Sequence, residues 1–486
     1  MATTRTFSIS SPERFSVAGR AFFFIPRSGA LVEADPAALA LADLLDRDGP
    51  AGRDEPVEES LLQRFAAEYF DPKAAREAIE GFFTYGILAG PQLVQISRPK
   101  VKPQPIPVKH LITSVSQACN LRCGYCYADF GHYRREPDMM QLETARKYVD
   151  FLLENAGGSP QVVYTFFGGE PLLNFPVIRE AVRYGRSRQA AAGTHIQFGL
   201  TTNGTVMTQE MIDFFVDEEI EVTISVDGSP KVNDRLRPLA GGGGSFTLLA
   251  DRITPLLKRR PTPARVTVTN QNLDLADTFG ALDAMGFYEV GFSPVSTADP
   301  RFALSRADRD RFVDELEGLS RRTLETIPKG RLLGFSNLLQ LIRQIHEAER
   351  HEHPCGAGMS LLAGNSEGEL YACHRLINDT EFSMGSVAAG VDREAQAEHL
   401  DRLHVDQKTP CASCWAQGLC GGGCYAVAKT ETGASSSVPF EHCDSIRRWY
   451  RCGIESYAHL NLHHAELLPR IVRASKTLER YEQAPV

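Results

Sequence analysis

The placement of its cysteines constrains this chain more than any other feature. Eleven cysteines occur in 486 residues, three of them between positions 119 and 126 and the other eight between 355 and 452. The first group has the spacing Cys-x3-Cys-x2-Cys and follows an apolar, strand-like run at 111–116. Three thiolates at this spacing can ligate three irons of a [4Fe–4S] cluster and leave the fourth iron open to an outside ligand. A partial zinc site is the alternative, although no fourth protein ligand lies nearby.

Composition and charge exclude several classes of protein. Hydrophobic residues make up 43% of the chain and charged residues 23%, which is typical of folded globular proteins and excludes disordered or fibrous ones. The net charge of −9 argues against a nucleic-acid partner. No apolar run is long enough for a membrane span, and the N-terminus lacks the apolar core of a secretory signal, so we expect a cytoplasmic protein. Clustered cysteines in a reducing compartment are usually metal ligands or catalytic groups rather than disulfides.

Strand-like and helix-like runs divide the chain into five segments. Residues 1–97 show short strands and then three amphipathic helices, a winged-helix-like pattern, and the proline-rich stretch 98–109 is a predicted linker. Residues 110–350 contain six strand-like runs separated by helical ones, which predicts an α/β fold built as a partial (β/α)6 barrel. Residues 351–452 are rich in Gly and Cys and are expected to need metal to fold, and 453–486 are expected to form a closing helix. The six strands are predicted at 111–116, 162–167, 196–201, 221–226, 265–269 and 290–295.

The first cysteine group is part of an ordered set of motifs that resembles the radical S-adenosylmethionine (SAM) enzymes. Each motif stands at the end of a predicted strand, from the first strand to the fourth. The resemblance covers about residues 108–300. The matching residues are Cys119, Cys123, Tyr125 and Cys126, then Gly168, Gly169 and Glu170, then Thr202 and Asn203, and finally Ser225 and Asp227.

The resemblance implies a cofactor and a chemistry. The three cysteines would hold a [4Fe–4S] cluster whose open iron binds SAM, and one electron from the cluster would generate a 5′-deoxyadenosyl radical that abstracts a hydrogen atom from substrate. The SAM ammonium would be held by backbone groups near Gly168 and Gly169, which allow close approach, and by the carboxylate of Glu170. Asp227 lies in the segment that resembles the family's ribose contact, and the run 290–295 would flank the adenine.

The second cysteine group resembles the seven-cysteine signature of the SPASM extension. Twelve residues separate Cys355 from Gly368 and four more separate Gly368 from Cys373, and the sequence later continues as Cys-x2-Cys-x5-Cys-x3-Cys. The resemblance implies two auxiliary [4Fe–4S] clusters, and a zinc ribbon is the alternative. The outer cluster would be held by Cys411, Cys414, Cys420 and Cys443, and the inner cluster by Cys355, Cys373 and Cys424.

Seven ligands leave one iron of the inner cluster without an assigned protein ligand. Cys452 could supply it, although a helical, buried structural thiol is the plainer interpretation of this residue. A nearby histidine or a cysteine of the substrate could also supply it. The histidines that flank the cysteines are His351, His353, His374 and His442.

The segment 20–35 and the three helices after it resemble the PqqD-type element, which binds a leader peptide as an added strand. A purely structural winged-helix module is the alternative.

Together the segments resemble radical SAM peptide maturases, most of all the thioether-forming type of quinohemoprotein amine dehydrogenase maturation. That resemblance implies cross-links between Cys sulfur and the β or γ carbon of Asp or Glu in a ribosomally made peptide or small protein, with an external one-electron donor. Other SPASM maturases, including sulfatase-activating, carbon–carbon cross-linking and six-cysteine-peptide enzymes, and a zinc-binding regulatory protein remain alternatives.

Overall fold

The computed structural model describes residues 6–9, 11–26, 28–48, 57–89, 100–133 and 135–474. Parts of four predicted segments lie outside these residues. They are 1–5, 10, 27, 49–56 and 90–97 of the N-terminal module, 98–99 of the linker, 134 of the barrel segment, and 475–486 of the closing helix.

The N-terminal module contains two small antiparallel sheets and three helices. The strands between residues 13 and 33 and the three helices agree with the sequence prediction. The second sheet has strands at 6–9, 57–58 and 88–89, which are too short to leave a periodic signal in the sequence. The third helix begins where Asp71 accepts hydrogen bonds from the backbone N–H groups of Lys73 and Ala74. The elements are β1 Thr6–Ile9, β2 Glu13–Val17, β3 Arg20–Ile25, β4 Ala30–Glu33, α1 Pro36–Asp48, β5 Val57–Glu58, α2 Glu59–Glu68, α3 Pro72–Thr84 and β6 Leu88–Ala89.

Strand β3 is apolar on both faces because each face packs against a different part of the protein. Side chains of a strand alternate between its faces. Phe23 and Ile25 pack with the module's own helices. Phe22 and Phe24 belong to a separate cluster with Trp415, and the rings of Phe24 and Trp415 meet edge to face at 6.2 Å. The module is therefore docked on the cysteine-rich C-terminal region.

Six parallel strands form the predicted partial barrel. Each strand is hydrogen-bonded to the next one along the chain, and the carboxyl ends of all six share one edge of the sheet. Each of the six predicted strands is present within one or two residues of its expected bounds. The elements are β7 His110–Ser116, α4 Leu142–Glu154, β8 Gln161–Gly168, α5 Phe175–Ala192, β9 His195–Thr202, α6 Gln209–Asp217, β10 Glu221–Ser225, α7 Pro230–Leu236, α8 Phe246–Leu257, β11 Pro263–Val268, α9 Leu275–Ala284 and β12 Glu289–Pro294.

The cysteine-rich region extends the barrel sheet, which its sequence pattern does not predict. Its first strand pairs in parallel with β7, and three further short strands continue the sheet in antiparallel order. The Tyr148 hydroxyl on α4 donates to the backbone oxygens of Asn365 at 2.9 Å and Glu369 at 3.1 Å, which holds the first hairpin against the barrel. The remaining elements are α10 Arg306–Thr326, α11 Ser336–His346, β13 Leu361–Gly364, β14 Glu369–Tyr371, β15 Ser383–Ser386, β16 Gly390–Val391, α12 Arg393–Arg402, α13 Thr409–Ala412, α14 Gln417–Cys420, α15 Tyr425–Thr432, α16 Phe440–His463 and α17 Leu468–Ala474.

The closing helix differs from its prediction. Helix α16 begins before Cys443, so the expected segment boundary between residues 452 and 453 falls inside one continuous helix. It ends at His463, and a second helix, α17, follows a short turn. Among the described helices, none combines the length and apolarity that a membrane crossing requires.

Candidate active site

The first cysteine loop leaves the carboxyl end of β7 and is held by the backbone that follows α7. The amide of Arg122 donates to the carbonyl of Pro238 and the amide of Ala240 donates to the carbonyl of Asn120, each at 2.8 Å. An isolated antiparallel bridge joins Leu121 to Leu239 between these two bonds. The loop is therefore ordered by main-chain pairing with residues 238–240.

The thiols of this loop suit an iron–sulfur cluster. Burial, with a smaller contribution from the nearby thiol of Cys126, raises the pKa of Cys119 to about 12 and that of Cys123 to about 11. A thiol with such a pKa becomes a thiolate only beside a strong positive charge, which metal ions supply. No three described His, Cys, Asp or Glu side chains converge on the position of one metal ion. Three cysteines at this spacing fit a [4Fe–4S] cluster, in which each thiolate binds a different iron, better than a single zinc, which usually takes four protein ligands.

Gly168 and Gly169 brace the cysteine loop. A Cβ atom at Gly168 would lie 2.3 Å from the carbonyl oxygen of Ser116, and one at Gly169 would lie 2.3 Å from that of Ala118. The amide of Gly169 donates to Ser116 and the amide of Glu170 donates to Ala118, both at 2.8 Å. The backbone of the cysteine loop therefore requires glycine at both positions, and the close approach of SAM to them stays a prediction.

Glu170 is fully buried and links the end of β8 to the end of β9. One carboxylate oxygen accepts from the Thr202 hydroxyl at 2.6 Å and the Leu172 amide at 3.0 Å, and the other accepts from the Asn203 amide at 2.8 Å. Burial raises the pKa of Glu170, and these donors oppose the rise. Thr202 and Asn203, predicted as cofactor contacts, are thus donors to Glu170 at the carboxyl end of β9.

Asn203 also links β9 to the cysteine loop through its side chain. Its amide nitrogen donates to the side-chain oxygen of Asn120 at 3.0 Å and lies 3.9 Å from the sulfur of Cys119. Its side-chain oxygen accepts from the backbone and the hydroxyl of Thr205 at 2.9 and 2.6 Å. The amide nitrogen of Asn203 therefore positions the loop, while its side-chain oxygen closes a local turn.

Tyr125, Asp227 and Arg237 form a buried polar triad. The Tyr125 hydroxyl donates to Asp227 and accepts a 2.6 Å hydrogen bond from Arg237, whose guanidinium lies 3.8 Å from the same carboxylate. Asp227 also accepts from the amide of Thr267 at 2.9 Å. Burial raises the pKa of Asp227 and the Arg237 charge opposes this. Sequence reasoning missed Arg237, which belongs to no motif, and Ser225 lies half-buried at the end of β10.

The later cysteines form two groups in space. Burial, with smaller contributions from the neighbouring thiols of Cys424 and Cys355, raises the pKa of Cys373 to about 12. Burial likewise raises the pKa of Cys411 to about 11, with added effects of Cys420, Cys443 and Cys414. These are the two sets that the resemblance assigns to an inner and an outer cluster.

Side chains between the three groups connect them in series. Tyr127 directly follows Cys126, and its ring contacts those of Tyr133 and His374 at 6.5 and 6.3 Å between centroids, so the segment after the first group reaches the residue that follows Cys373. Lys408 interacts with thiols of both the inner and the outer group, and its ammonium donates to the carbonyl of Gly422 at 2.8 Å.

Cys452 and three of the flanking histidines have contacts of their own. Cys452 hydrogen-bonds Ser320 on α10 and Ser456 on α16, and none of the inner-group thiols is among its described partners. His374 lies closest to the inner group, with its Nδ1 at 4.0 Å from the sulfur of Cys373. The other histidines pair as His351 with Glu349 at 4.0 Å, His353 with Tyr425 at 2.7 Å and His442 with Glu431 at 2.7 Å.

A cavity of about 720 Å³ separates the end of β12 from the outer cysteine group. Phe292, Pro294 and Val295 line one side of it, and Cys411 and Cys443 line the other. The run predicted to flank the adenine therefore borders this cavity.

Residues 113–260 match the radical SAM superfamily. A stretch of 188 residues is 35% identical to an uncharacterised protein of Methanocaldococcus jannaschii, covering 38% of this chain and 62% of that protein, so the chain spans less than two thirds of this relative. The serine-type anaerobic sulfatase-maturating enzyme of Klebsiella pneumoniae is 26% identical over 66% of this chain and 82% of its own length. The fold is similar to anSMEcpe with bound AdoMet, with a TM-score of 0.66 at 18% identity over 76% of this chain and 99% of that one.

Proposed function

We propose that this chain is a radical SAM enzyme that oxidatively cross-links a ribosomally made peptide or small protein, because residues 113–260 match the radical SAM superfamily. The proposed product is a thioether between a Cys sulfur and the β or γ carbon of an Asp or Glu, as in quinohemoprotein amine dehydrogenase maturation. The observation that carries this proposal is the proximity of the first and inner thiol groups. Tyr127 directly follows Cys126, and its ring lies 6.3 Å from the ring of His374, whose Nδ1 lies 4.0 Å from the sulfur of Cys373.

The reaction needs a route for an electron to leave. Forming one thioether removes two hydrogen atoms from the peptide, one as an atom and the other as a proton and an electron. We propose that Cys119, Cys123 and Cys126 hold a SAM-binding [4Fe–4S] cluster and that the inner and outer groups hold two auxiliary clusters. When bound, the first cluster and SAM supply the 5′-deoxyadenosyl radical that removes the hydrogen atom. An auxiliary cluster beside the substrate is a suitable acceptor for the electron.

The N-terminal module supports a peptide substrate with a leader segment. The side of its sheet that carries β2 faces helix α16, where Arg451 pairs with Glu13 and donates to the backbone oxygen of Arg14 at 3.3 Å. Strand β4 is the other edge of the β2-β3-β4 sheet. A leader could extend this sheet at β4, because an edge strand offers unpaired backbone groups.

Sulfatase maturation is the second candidate function. It is favoured by the 26% identity to the Klebsiella pneumoniae sulfatase-maturating enzyme, which extends over 82% of that protein. Both candidates use the same cofactors, so only the modified peptide separates them.

The first experiment tests the cofactors. Protein purified without oxygen should contain about twelve irons per chain, as three [4Fe–4S] clusters require. Cys126→Ala should abolish SAM cleavage and leave the auxiliary iron in place. A colourless protein loaded with zinc would contradict the proposal.

The second experiment tests the reaction. The holoenzyme is incubated with SAM, a reductant and peptides encoded beside its gene, and the products are examined by mass spectrometry. Loss of two hydrogen masses per cross-link, together with loss of a thiol that iodoacetamide can alkylate, supports thioether formation. Modification of a sulfatase peptide alone would favour the second candidate.

A further inference from the structure

A second cavity, of about 410 Å³, lies where three cysteine-bearing segments meet. Its walls come from the segment 127–133 that follows Cys126, the segment 375–379 that follows Cys373 and the segment 426–433 that follows Cys424. The cavity therefore lies where the segments that follow proposed ligands of the SAM cluster and of the inner cluster meet. A substrate must reach this region if it is to react at the first cluster and lose an electron to the second.

Arg375 is a surplus positive charge on the wall of this cavity. No described carboxylate lies within ion-pair distance of it, and its guanidinium stacks over the ring of Tyr127 at 4.9 Å from the centroid. The other cation of the wall, Lys429, is already neutralised by Asp379 at 2.6 Å and Glu381 at 2.7 Å. A guanidinium presents a planar fork of N–H donors that matches a carboxylate.

Asn378 lies on the same wall. Its side-chain oxygen accepts from Asn365 at 3.1 Å, and its amide nitrogen is buried with no hydrogen-bond partner among the residues that the structure describes. The residue has a φ of 63°, a left-handed conformation that Asn adopts more readily than most residues. Because this nitrogen has almost no accessible surface, Asn378 borders the cavity without donating to a ligand, but a negative charge placed there would repel a bound carboxylate.

The opposite wall contains concentrated backbone strain. Asp129, Phe130 and Tyr133 have φ values of 48°, 57° and 48°, and Tyr133 lines the cavity. Left-handed residues that are not glycine are rare, and they cluster at ligand-binding sites where the surroundings enforce them. This segment starts two residues after Cys126, so the strained wall and the first thiol group are built together.

We propose that this cavity is the specificity pocket for an acidic side chain of the substrate, whose carboxylate is bound by Arg375. This inference rests on the proposed function and deepens it, because it selects Asp or Glu as the residue held between the two clusters. The competing explanation is that Arg375 only balances the negative charge of the inner cluster, since it is two residues from Cys373.

The test uses the reconstituted holoenzyme and two small probes, N-acetylglutamic acid amide and N-acetylglutamine amide. Broadening of the probes' proton NMR lines by the reduced clusters reports binding close to the iron. The acidic probe should bind to the unmodified enzyme at least about tenfold more tightly than the neutral one. Arg375→Gln should remove this preference, and Asn378→Asp should reduce it by repulsion. Arg331→Gln, which breaks a surface pair with Asp283, is the matched control and should keep the preference.

Two outcomes would overturn the inference. Equal binding of both probes to the unmodified enzyme excludes a carboxylate pocket. A changed inner-cluster EPR signal in Arg375→Gln with the preference intact would assign the arginine to the cluster instead. If Arg375→Gln loses iron, Arg375→Lys and Asn378→Asp decide, because both keep a polar side chain in the wall. Probe binding without cross-linking of any peptide would count against the proposed function while leaving the pocket in place.

Discussion

Tyr125 and Asp227 stand 102 positions apart in the sequence and share a hydrogen bond inside the barrel, where the hydroxyl donates to the carboxylate. Arg237 donates to the same hydroxyl at 2.6 Å. The bond joins the cysteine loop to the end of β10 through protein side chains. The aromatic position of the cysteine motif therefore has a structural role in this chain. The hydroxyl of Tyr125 forms hydrogen bonds with both the buried carboxylate of Asp227 and the buried guanidinium of Arg237.

Tyr125→Phe should destabilise the loop. The change leaves Asp227 and Arg237 buried without the hydroxyl between them, which should lower the free energy of unfolding by about 1–3 kcal/mol and weaken SAM binding. Anaerobic thermal unfolding and SAM titration measure both effects. Tyr184→Phe removes a hydroxyl that donates to Asp150 at 2.8 Å near the surface, and it should have little effect. Equal losses in the two variants would contradict the assigned role of Tyr125.

Gly169→Ala should disrupt the first cluster site. The new Cβ would lie 2.3 Å from the carbonyl oxygen of Ala118 and would displace the cysteine loop. We expect loss of SAM cleavage and of about four irons per chain. Gly280→Ala in helix α9 meets no atom within 4 Å and should stabilise the protein by up to about 1 kcal/mol. Full iron content in Gly169→Ala would show that the loop does not need this close approach.

SAM affinity should depend on pH through Glu170. Burial raises the pKa of this carboxyl, so it takes up a proton at a higher pH than an ordinary glutamate. Affinity should fall as the pH is lowered through that raised pKa, since a neutral carboxyl attracts an ammonium weakly. The free energy of unfolding depends on pH in the opposite direction. As pH rises, the carboxyl of Glu170 ionises in the unfolded state before it ionises in the folded state, so its contribution to stability decreases between the ordinary and the raised pKa. Calorimetric SAM titrations between about pH 5 and 8 test this, with Glu170→Gln expected to bind weakly and without this dependence.

Cys452→Ala should leave the clusters intact. Its thiol bonds Ser320 and Ser456 and has no described contact with the inner group. Iron analysis should give the same content as the unmodified protein, whereas Cys424→Ala should lose about four irons. A loss of iron in Cys452→Ala would instead make this thiol the missing inner-cluster ligand.

Phe24→Ala should weaken the docking of the N-terminal module. Phe24 is buried against Trp415, and removing such a ring typically costs about 3–5 kcal/mol. The module should become more sensitive to protease while SAM cleavage persists. Phe70→Ala is the matched control, because Phe70 is 86% exposed. Unchanged protease sensitivity in Phe24→Ala would show that this contact does not hold the module.

Local patterns were sufficient to predict the elements of the barrel. Strands such as β8 alternate buried and half-buried residues, and the helices between them have one apolar face, so their bounds follow from periodicity alone. Cysteine spacing likewise indicated the first thiol group, because Cys119, Cys123 and Cys126 lie in one short loop. The resemblance to known motifs added Glu170 and Asp227 at the ends of the right strands.

Only the tertiary structure decided which distant segments meet. It placed β13 beside β7, Arg237 beside Tyr125, and Arg375 with Asn378 on one wall facing the segment after Cys126. It also showed that Gly168 and Gly169 lie in close contact with the backbone of the cysteine loop. These contacts join residues up to about 250 positions apart, and no periodic or spacing signal records them. They depend on how whole elements pack, which a short-range pattern in the sequence cannot encode.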